Sequence, residues 1–308
     1  MTENKTVVGR ITSIAFGGSG VCRIEGKVCF VPFTAPGDLV EIRLLKEKEN
    51  YLEGSLERIL EESPFRREPE CELYGECGGC SLQHLQYGKQ TEEKEQILKE
   101  TLKRIGKISC PVAPIIPSPK EYGYRIRTQL KHSSTGILGY YRQGSRILVP
   151  VKRCPVLADP INQYLETILF QYPSLPQKQR DLELSLEDSG EVTARWLYKS
   201  KNNNPFSQIN REVNDCLRTV IMAKIEEYFI APGRGIDLFC GDGNLSLPLA
   251  EEGWRFQGLE TSAEAIERGR KKISDLGKID YLFQRVDLYS DVGRLLESLK
   301  KPDLLIAD

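Results

Sequence analysis

Cys71, Cys77 and Cys80 crowd into the ten residues "CELYGECGGC", with Gly75, Gly78 and Gly79 between them. Thiolates are the ligands of zinc and of iron–sulfur centres, and glycine lets a backbone turn sharply through positive φ. A loop built this way can aim several sulfurs at one centre, and a fourth ligand must come from elsewhere. A second stretch, "DLFCGDGN" at 237–244, puts Gly241 and Gly243 where a buried strand gives way to a helix. Such a turn lets the backbone approach a ligand beyond the carboxyl ends of a parallel sheet. The NAD pattern G-x-G-x-x-G is not completed, because Leu245 and Ser246 stand where the third glycine is sought. Acidic residues end four successive predicted strands: Asp237, Glu260, Asp287 and Asp308. A lone acid there is usually a helix cap, whereas four in succession read as a ligand crevice. Glu260, nineteen residues after Gly241, is placed to accept hydrogen bonds from both hydroxyls of a ribose.

A third group is basic. Residues 120–153 hold eight Lys and Arg (Lys120, Arg125, Arg127, Lys131, Arg142, Arg146, Lys152, Arg153) against one acid, Glu121. Tyr122, Tyr124, Tyr140 and Tyr141 are interleaved with them. Cations neutralise phosphates while aromatics stack on unpaired bases, so this stretch is a candidate RNA surface; the plainer alternative is a solvated basic face over core tyrosines. The remaining thiols are weaker candidates. Cys22 and Cys29 lie in neighbouring β-runs and read as small core residues, as do Cys110 and Cys216. Cys240 lies inside the glycine turn and reads as packing. His84 and His132 are isolated, without metal-ligand spacing.

These residues must be positioned by ordinary globular structure. The 308 residues are 28% charged and 40% hydrophobic, with net charge −1, so nucleic-acid affinity must come from local charge. No apolar run long enough for a membrane span exists, and "MTENKTVVGRI" lacks a signal peptide's apolar core. A cytoplasmic protein is expected, in which nine cysteines read as ligands, catalysts or core residues rather than structural disulfides. Residues 6–59 form five β-rich runs separated by "FGGSG", "EGK" and "TAPGD", the pattern of a small OB-type barrel. "SPFRREPE" reads as a linker. "QTEEKEQILKETLKRIG" is an amphipathic helix, acidic at its start and basic at its end. Residues 124–150 alternate like a hairpin or meander, "DPINQYLETILF" is a helix, and "DLELSLEDSGEVTARWLY" is a hairpin turning at Asp188–Gly190. From Asn210 strands and helices alternate, which indicates a doubly wound parallel sheet. Its helices are expected at "NREVNDCLRTVIMAKIEEYF", "LSLPLAEEG", "SAEAIERGRKKISDLG" and "DVGRLLESLK".

The motifs together resemble one family. The run D-x-x-x-G-x-G resembles motif I of class I S-adenosylmethionine (SAM) methyltransferases. "GGSGVCRIEGKVCFVPFTAPGD" is similar to a TRAM barrel, and "CELYGECGGCSLQHLQYGKQ" to a C-x₅-C-x₂-C cluster loop. "VKRCPV" is similar to the distant fourth ligand of that cluster, and "FSQINREVN" to the motif that opens the methyltransferase domain. From end to end the chain resembles the TRAM-domain, iron–sulfur-containing RNA (uracil-5-)-methyltransferases of the 23S rRNA type. The resemblance implies three domains. They are an OB-like TRAM β-barrel (1–62), a β-rich iron–sulfur and RNA-binding domain (63–205), and a class I methyltransferase Rossmann-like domain (206–308). It also implies that the helix at 90–105 packs on the last of these. It implies a [4Fe–4S] cluster on Cys71, Cys77, Cys80 and Cys154, whereas spacing alone leaves zinc open. It implies SAM contacts from Gln208, Phe239, Asn244, Glu260, Asp287 and Asp308. RNA contacts are expected from Arg125, Arg127, Lys131 and Arg142, in a monomer. The substrate implied is 23S rRNA, with tRNA as the alternative; a non-catalytic RNA-binding protein and a zinc-dependent nucleic-acid-binding protein are the rivals from other classes.

The chemistry sets a further requirement. C5 of uracil is a poor nucleophile. A thiolate adding at C6 makes C5 enolate-like, so that it can take the SAM methyl, and a base must then remove the C5 proton before the thiolate leaves. In the family that thiol and that base follow the fourth strand. The sequence stops at Asp308, so the reading expects a chain truncated after that strand, with neither group present and no activity of its own.

Overall fold

The computed structural model describes residues 5–133, 136–171, 181–197, 208–277, 279–290 and 301–307. It divides into two compact units, Met1–Leu197 and Tyr198–Asp308. Among the described residues no helix is long and apolar enough to cross a membrane.

The first unit opens with a sheet of β1 (Thr6–Arg10), β2 (Ser13–Ile14), β3 (Gly20–Ile24), β4 (Lys27–Val31), β5 (Leu39–Glu47) and β6 (Tyr51–Glu61). Its order is β1-β5-β6-β4-β3-β2. The sequence reading has one strand where β1 and β2 stand. The strand breaks at Ile11 and Thr12 because its ladder changes partner: Ile11 N–H donates to Asp38 O, Thr12 N–H to Val21 O. The two halves therefore sit at opposite ends of the sheet order, and the chain itself closes the barrel. The parallel pairing of β4 with β6 completes an OB-type circuit. Alternation sends Ile11, Cys22, Cys29, Val31, Val40 and Ile42 inward. Cys22 and Cys29 face each other across β3 and β4, fully buried, which fits their reading as core.

The stretch read as a linker is fastened down. Asp38, fully buried, accepts from Ala35 N (2.6 Å), Ser63 N (2.9 Å) and both Nε (2.9 Å) and Nη2 (2.8 Å) of Arg66. A buried carboxylate is tolerated because its acceptor positions are filled and its charge is matched. The cysteine loop follows, then α1 (Tyr87–Arg104), which begins three residues before the expected helix. Glu93 on α1 accepts from Ile14 N (2.9 Å), and Ile97 leans on the cluster of Ile14, Ala35 and Leu85.

The second half of this unit is a sheet of β7 (Arg127–His132), β8 (Leu138–Tyr141), β9 (Leu148–Pro150), β10 (Asp181–Leu186) and β11 (Val192–Leu197). The order is β11-β10-β7-β8-β9, with antiparallel neighbours. One face packs on α2 (Asp159–Gln171) through Leu130, Leu138, Leu157, Ile161, Leu165, Leu182 and Leu184. The meander and the Asp188–Gly190 hairpin appear as expected.

The second unit is a parallel sheet of β12 (Arg234–Leu238), β13 (Arg255–Glu260), β14 (Tyr281–Arg285) and β15 (Leu304–Ala307), in the order β14-β13-β12-β15. Among the described residues three helices accompany it: α3 (Arg211–Tyr228), α4 (Leu247–Glu251) and α5 (Ala263–Leu276). The order places the first strand centrally, as the doubly wound reading requires. α4 is shorter than expected, with Leu245 and Ser246 still in turns and the chain leaving through Gly253 at φ 94°. The helix expected over "DVGRLLESLK" lies outside the described residues.

Candidate functional site

At the carboxyl end of β12 the chain turns through Phe239 (φ 59°), Gly241 (φ 57°) and Gly243 (φ 85°). A Cβ at position 243 would sit 2.6 Å from the Leu247 side chain, so Gly243 is needed for both its conformation and its size. Glu260 ends β13 beside this turn. Its Oε2 accepts from Gly241 N (3.0 Å), and its Oε1 from Thr261 N and Ser262 N (both 2.7 Å). A carboxylate has about four acceptor positions, so three backbone donors fix its direction and leave one for a ligand.

The other acids at strand ends separate into different roles. Asp237 is buried and accepts a hydrogen bond from the Ser246 hydroxyl, which also bonds Tyr281 OH. It thus holds the turn to the sheet from beneath. Asp287 caps the turn after β14, accepting from Tyr289 N (3.0 Å). That donor, with the Ser290 hydroxyl, holds its carboxyl below the usual aspartate range. Asp308 lies outside the described residues. The Phe239 and Tyr289 rings meet with centroids 5.6 Å apart, and both are exposed. Tyr289 follows β14 and Phe239 follows β12, so this pair reaches across the end of β13. Gln208 lies half-buried just ahead of α3, whose first turn is capped by Asn210 Oδ1 on Val213 N (3.1 Å). Asn244 is engaged by α3: it exchanges amide hydrogen bonds with Asn214 and accepts from Arg218. Cys240 is buried with Ile266 and Phe283. Burial, then the nearby Asp237 charge, push its thiol up, the surroundings of a packed thiol rather than of an activated one.

The cysteine loop is gripped on two sides within the first unit. Gly78 N–H donates to Tyr141 O (2.9 Å) at the β8–β9 turn, and a Cβ on Gly78 would sit 2.9 Å from both Tyr141 O and Gln143 N. Only glycine lets the loop come that close. On the barrel side, Tyr74 OH bonds His84 Nδ1 (2.6 Å) and His84 Nε2 bonds Thr34 O (3.0 Å). A carbonyl can only accept, so Nε2 carries the proton and Nδ1 accepts from the tyrosine. Two side-chain amides fix the backbone at the ends of the cysteine set. Gln83 Oε1 accepts from Cys71 N (3.2 Å), and Asn162 Oδ1 from Cys154 N (2.9 Å) while its Nδ2 donates to Cys154 O (3.1 Å).

Cys71, Cys77, Cys80 and Cys154 are all half-buried free thiols. Burial raises Cys71 and Cys77, and pushes Cys154 up to about 11. Charge on Cys80 raises all three further, and charge on Cys71 raises Cys77 and Cys154. The four are one electrostatic neighbourhood. Among the described residues, however, no three Cys, His, Asp or Glu side chains form a group that could hold a metal ion. A tetrahedral zinc would draw its sulfurs to roughly 3.8 Å apart, given Zn–S bonds of about 2.3 Å. The expected ligand set is therefore a neighbourhood of thiols and not a formed ligand shell.

The cations expected on RNA divide. Arg127 is spent on Glu183 through Nε (3.0 Å) and Nη2 (2.7 Å), largely buried. Lys131 pairs with Asp181 and lies 5.9 Å from the Tyr141 ring centre. Arg125 Nε donates to Arg127 O (3.0 Å). Arg142 is exposed on the β8–β9 turn with Arg146, and Lys152 is exposed just beyond β9. Tyr140 is core, bonded to Thr128; Tyr141 is exposed. Sequence reasoning did not find Asn214, Arg218, Asp38, Asn162 or the Tyr74–His84 pair, because no pattern along the chain announces which residue each side chain will meet once folded.

Comparison with known proteins adds four findings. A TRAM domain model matches residues 3–56. An uncharacterized RNA methyltransferase of Bdellovibrio bacteriovorus is 31% identical over 304 residues, 97% of this chain and 75% of that protein. The 23S rRNA (uracil(1939)-C(5))-methyltransferase RlmD of Shewanella amazonensis is 30% identical over 332 residues, 90% of this chain and 74% of that protein. The crystal structure of Pyrococcus abyssi tRNA (uracil-54, C5)-methyltransferase with S-adenosyl-L-homocysteine aligns with TM-score 0.70 at 21% identity. It covers 96% of this chain and 82% of that one, a likeness that establishes the fold.

Proposed function

The chain belongs to the SAM-dependent RNA (uracil-C5) methyltransferases that carry a TRAM domain, and from this premise we propose that it serves C5 methylation of a uridine in 23S rRNA. The observation that carries the cofactor part is Glu260. It is locked by three backbone donors beside the glycine turn and keeps one acceptor position for a ribose hydroxyl. Phe239, Gln208, Asn244, Asp287 and Asp308 complete the proposed cofactor contacts. Phe239 offers an exposed ring to the adenosine, and Asp287 offers a carboxylate to the adenine edge. The exposed Arg142 and the β8–β9 turn, with Arg125, form the proposed RNA contact. Arg127 and Lys131 contribute by holding the sheet that presents it.

Cys71, Cys77, Cys80 and Cys154 are proposed to hold a [4Fe–4S] cluster. The charge on Cys80 is felt by the other three thiols, and side-chain amides fix the backbone of Cys71 and Cys154, which supports a shared centre on these four. When bound, such a cluster is a cross-link between the loop and the segment after β9, and the methyl transfer requires no redox step. The C6 nucleophile is not assigned to any thiol described here, since Cys240 is buried and poorly ionised.

The test is mass mapping of modified uridines in rRNA and tRNA from a strain lacking the gene, together with calorimetric titration of the chain with S-adenosylhomocysteine. A single lost 5-methyluridine in 23S rRNA, and measurable cofactor affinity, are expected. Loss from tRNA alone would overturn the substrate, and no measurable cofactor affinity would overturn the cofactor reading.

A further inference from the structure

Asn244 follows the glycine turn, and its amide is more constrained than a surface asparagine's. Asn214 Nδ2 donates to Asn244 Oδ1 (2.9 Å), and Asn244 Nδ2 donates to Asn214 Oδ1 (2.7 Å). From the next turn of α3, Arg218 Nη2 donates to the same Asn244 Oδ1 (2.8 Å), while its Nε donates to the Asn244 backbone oxygen (3.0 Å). A guanidinium has donors and no acceptor. Asn244 must therefore turn its carbonyl toward Arg218, and its NH₂ group is directed by exclusion. Both lone pairs of Oδ1 are then used. One Nδ2 hydrogen is spent on Asn214, and among the described residues the other has no partner.

We propose that Asn214 and Arg218 are positioning residues of the cofactor site: they orient Asn244 so that its remaining amide hydrogen donates to the carboxylate of the amino-acid end of an S-adenosyl ligand. This rests on the cofactor reading given above and adds to it which end of the cofactor Asn244 meets. A site that offers only a donor selects an acceptor. The adenine amino group is a donor and is excluded. The ligand's carboxylate is its strongest acceptor, and it gains further from the Arg218 charge one residue behind the amide. The arrangement also explains why a polar residue such as Asn214 stands at the end of the first turn of α3. Its side chain satisfies another side chain rather than competing for its own helix's backbone.

The discriminating experiment uses two ligands on the full chain. S-adenosylhomocysteine carries the amino-acid end, and 5′-methylthioadenosine keeps the adenosine but lacks it. Calorimetric titration of Arg218→Ala should show affinity for S-adenosylhomocysteine reduced about tenfold or more, the loss expected of one charge-assisted hydrogen bond. Affinity for 5′-methylthioadenosine should be unchanged. Asn214→Ala should behave alike. Arg218→Lys should fall between, because an ammonium can reach Oδ1 but cannot serve both oxygens. Lys224→Ala, which removes an exposed pair with Glu227 on the same helix, should leave both affinities at the unaltered value. Equal weakening for both ligands would mean that the pair merely folds the turn, and would overturn the proposal. No weakening for either would do the same. Failure of the unaltered chain to bind S-adenosylhomocysteine would overturn the cofactor reading first, and this proposal with it.

Discussion

Single residues decide the most direct tests. Glu260 keeps one acceptor for a ligand and uses the rest to hold Gly241, Thr261 and Ser262. Replacing it with Gln puts an NH₂ against backbone donors. Glu260→Gln should weaken S-adenosylhomocysteine binding by about 1.5–3 kcal/mol, the worth of hydrogen bonds to a charged group, as read by calorimetry. The chain's two histidines are both buried, and burial lowers the pKa of each. Such a histidine binds fewer protons folded than unfolded once the pH drops below its unfolded value of about 6.5. Its contribution is therefore complete above about pH 6.5 and is lost as the pH falls through the folded pKa. Melting temperature should drop between about pH 7.5 and about pH 5.5, and a His84→Gln, His132→Leu double variant should flatten that slope. His132 carries a second consequence. Among the described residues neither of its ring nitrogens has a hydrogen-bond partner, and its ring stands edge-on to Trp196. His132→Leu removes an unsatisfied polar group and should stabilise the first unit by about 1–3 kcal/mol at neutral pH. A destabilised variant would mean that the imidazole is satisfied in solution.

At the scale of elements, what matters is where one segment meets another. The cysteine loop lies against the β8–β9 turn through a glycine that leaves no room for a methyl group. Gly78→Ala would force two backbones apart and break the bond to Tyr141 O. A cost of about 1–3 kcal/mol is expected for the overpacking, read as a lower melting temperature, together with less iron per chain after anaerobic purification. Retained iron would show that the loop does not need this contact to gather its thiols. The same turn bears Arg142, so the loop and the proposed RNA contact are set by one junction. The barrel shows the same logic. Its first strand is continuous in sequence, yet the ladder hands over from β5 to β3 between Ile11 and Thr12. That handover was not legible from alternation, because both halves alternate alike.

Across the whole molecule the chain forms two compact units, with the cysteines of the proposed cluster in one and the cofactor turn in the other. Ligand that binds only a folded unit stabilises it by mass action, about 2.7 kcal/mol at a hundredfold excess over Kd. Calorimetry should accordingly show S-adenosylhomocysteine raising one thermal transition while Cys80→Ser lowers a different one, and a single transition moved by both would show that the units melt together. The amino-acid sequence by itself determined the element types, the turn glycines, the spacing of the thiols and the strand-end acids. These are local properties, written in alternation, helical period and residue identity within a few positions. It also carried the family, because motif order survives in the chain. Only the tertiary structure decided which polar groups are already spent. Arg127 on Glu183 and Asn244 on Asn214 and Arg218 are pairings between residues 26 to 56 positions apart, and Asp237 on Ser246 spans the whole glycine turn. A side chain's remaining hydrogen-bonding capacity is fixed by what folding brings beside it, and no reading along the chain contains that neighbour.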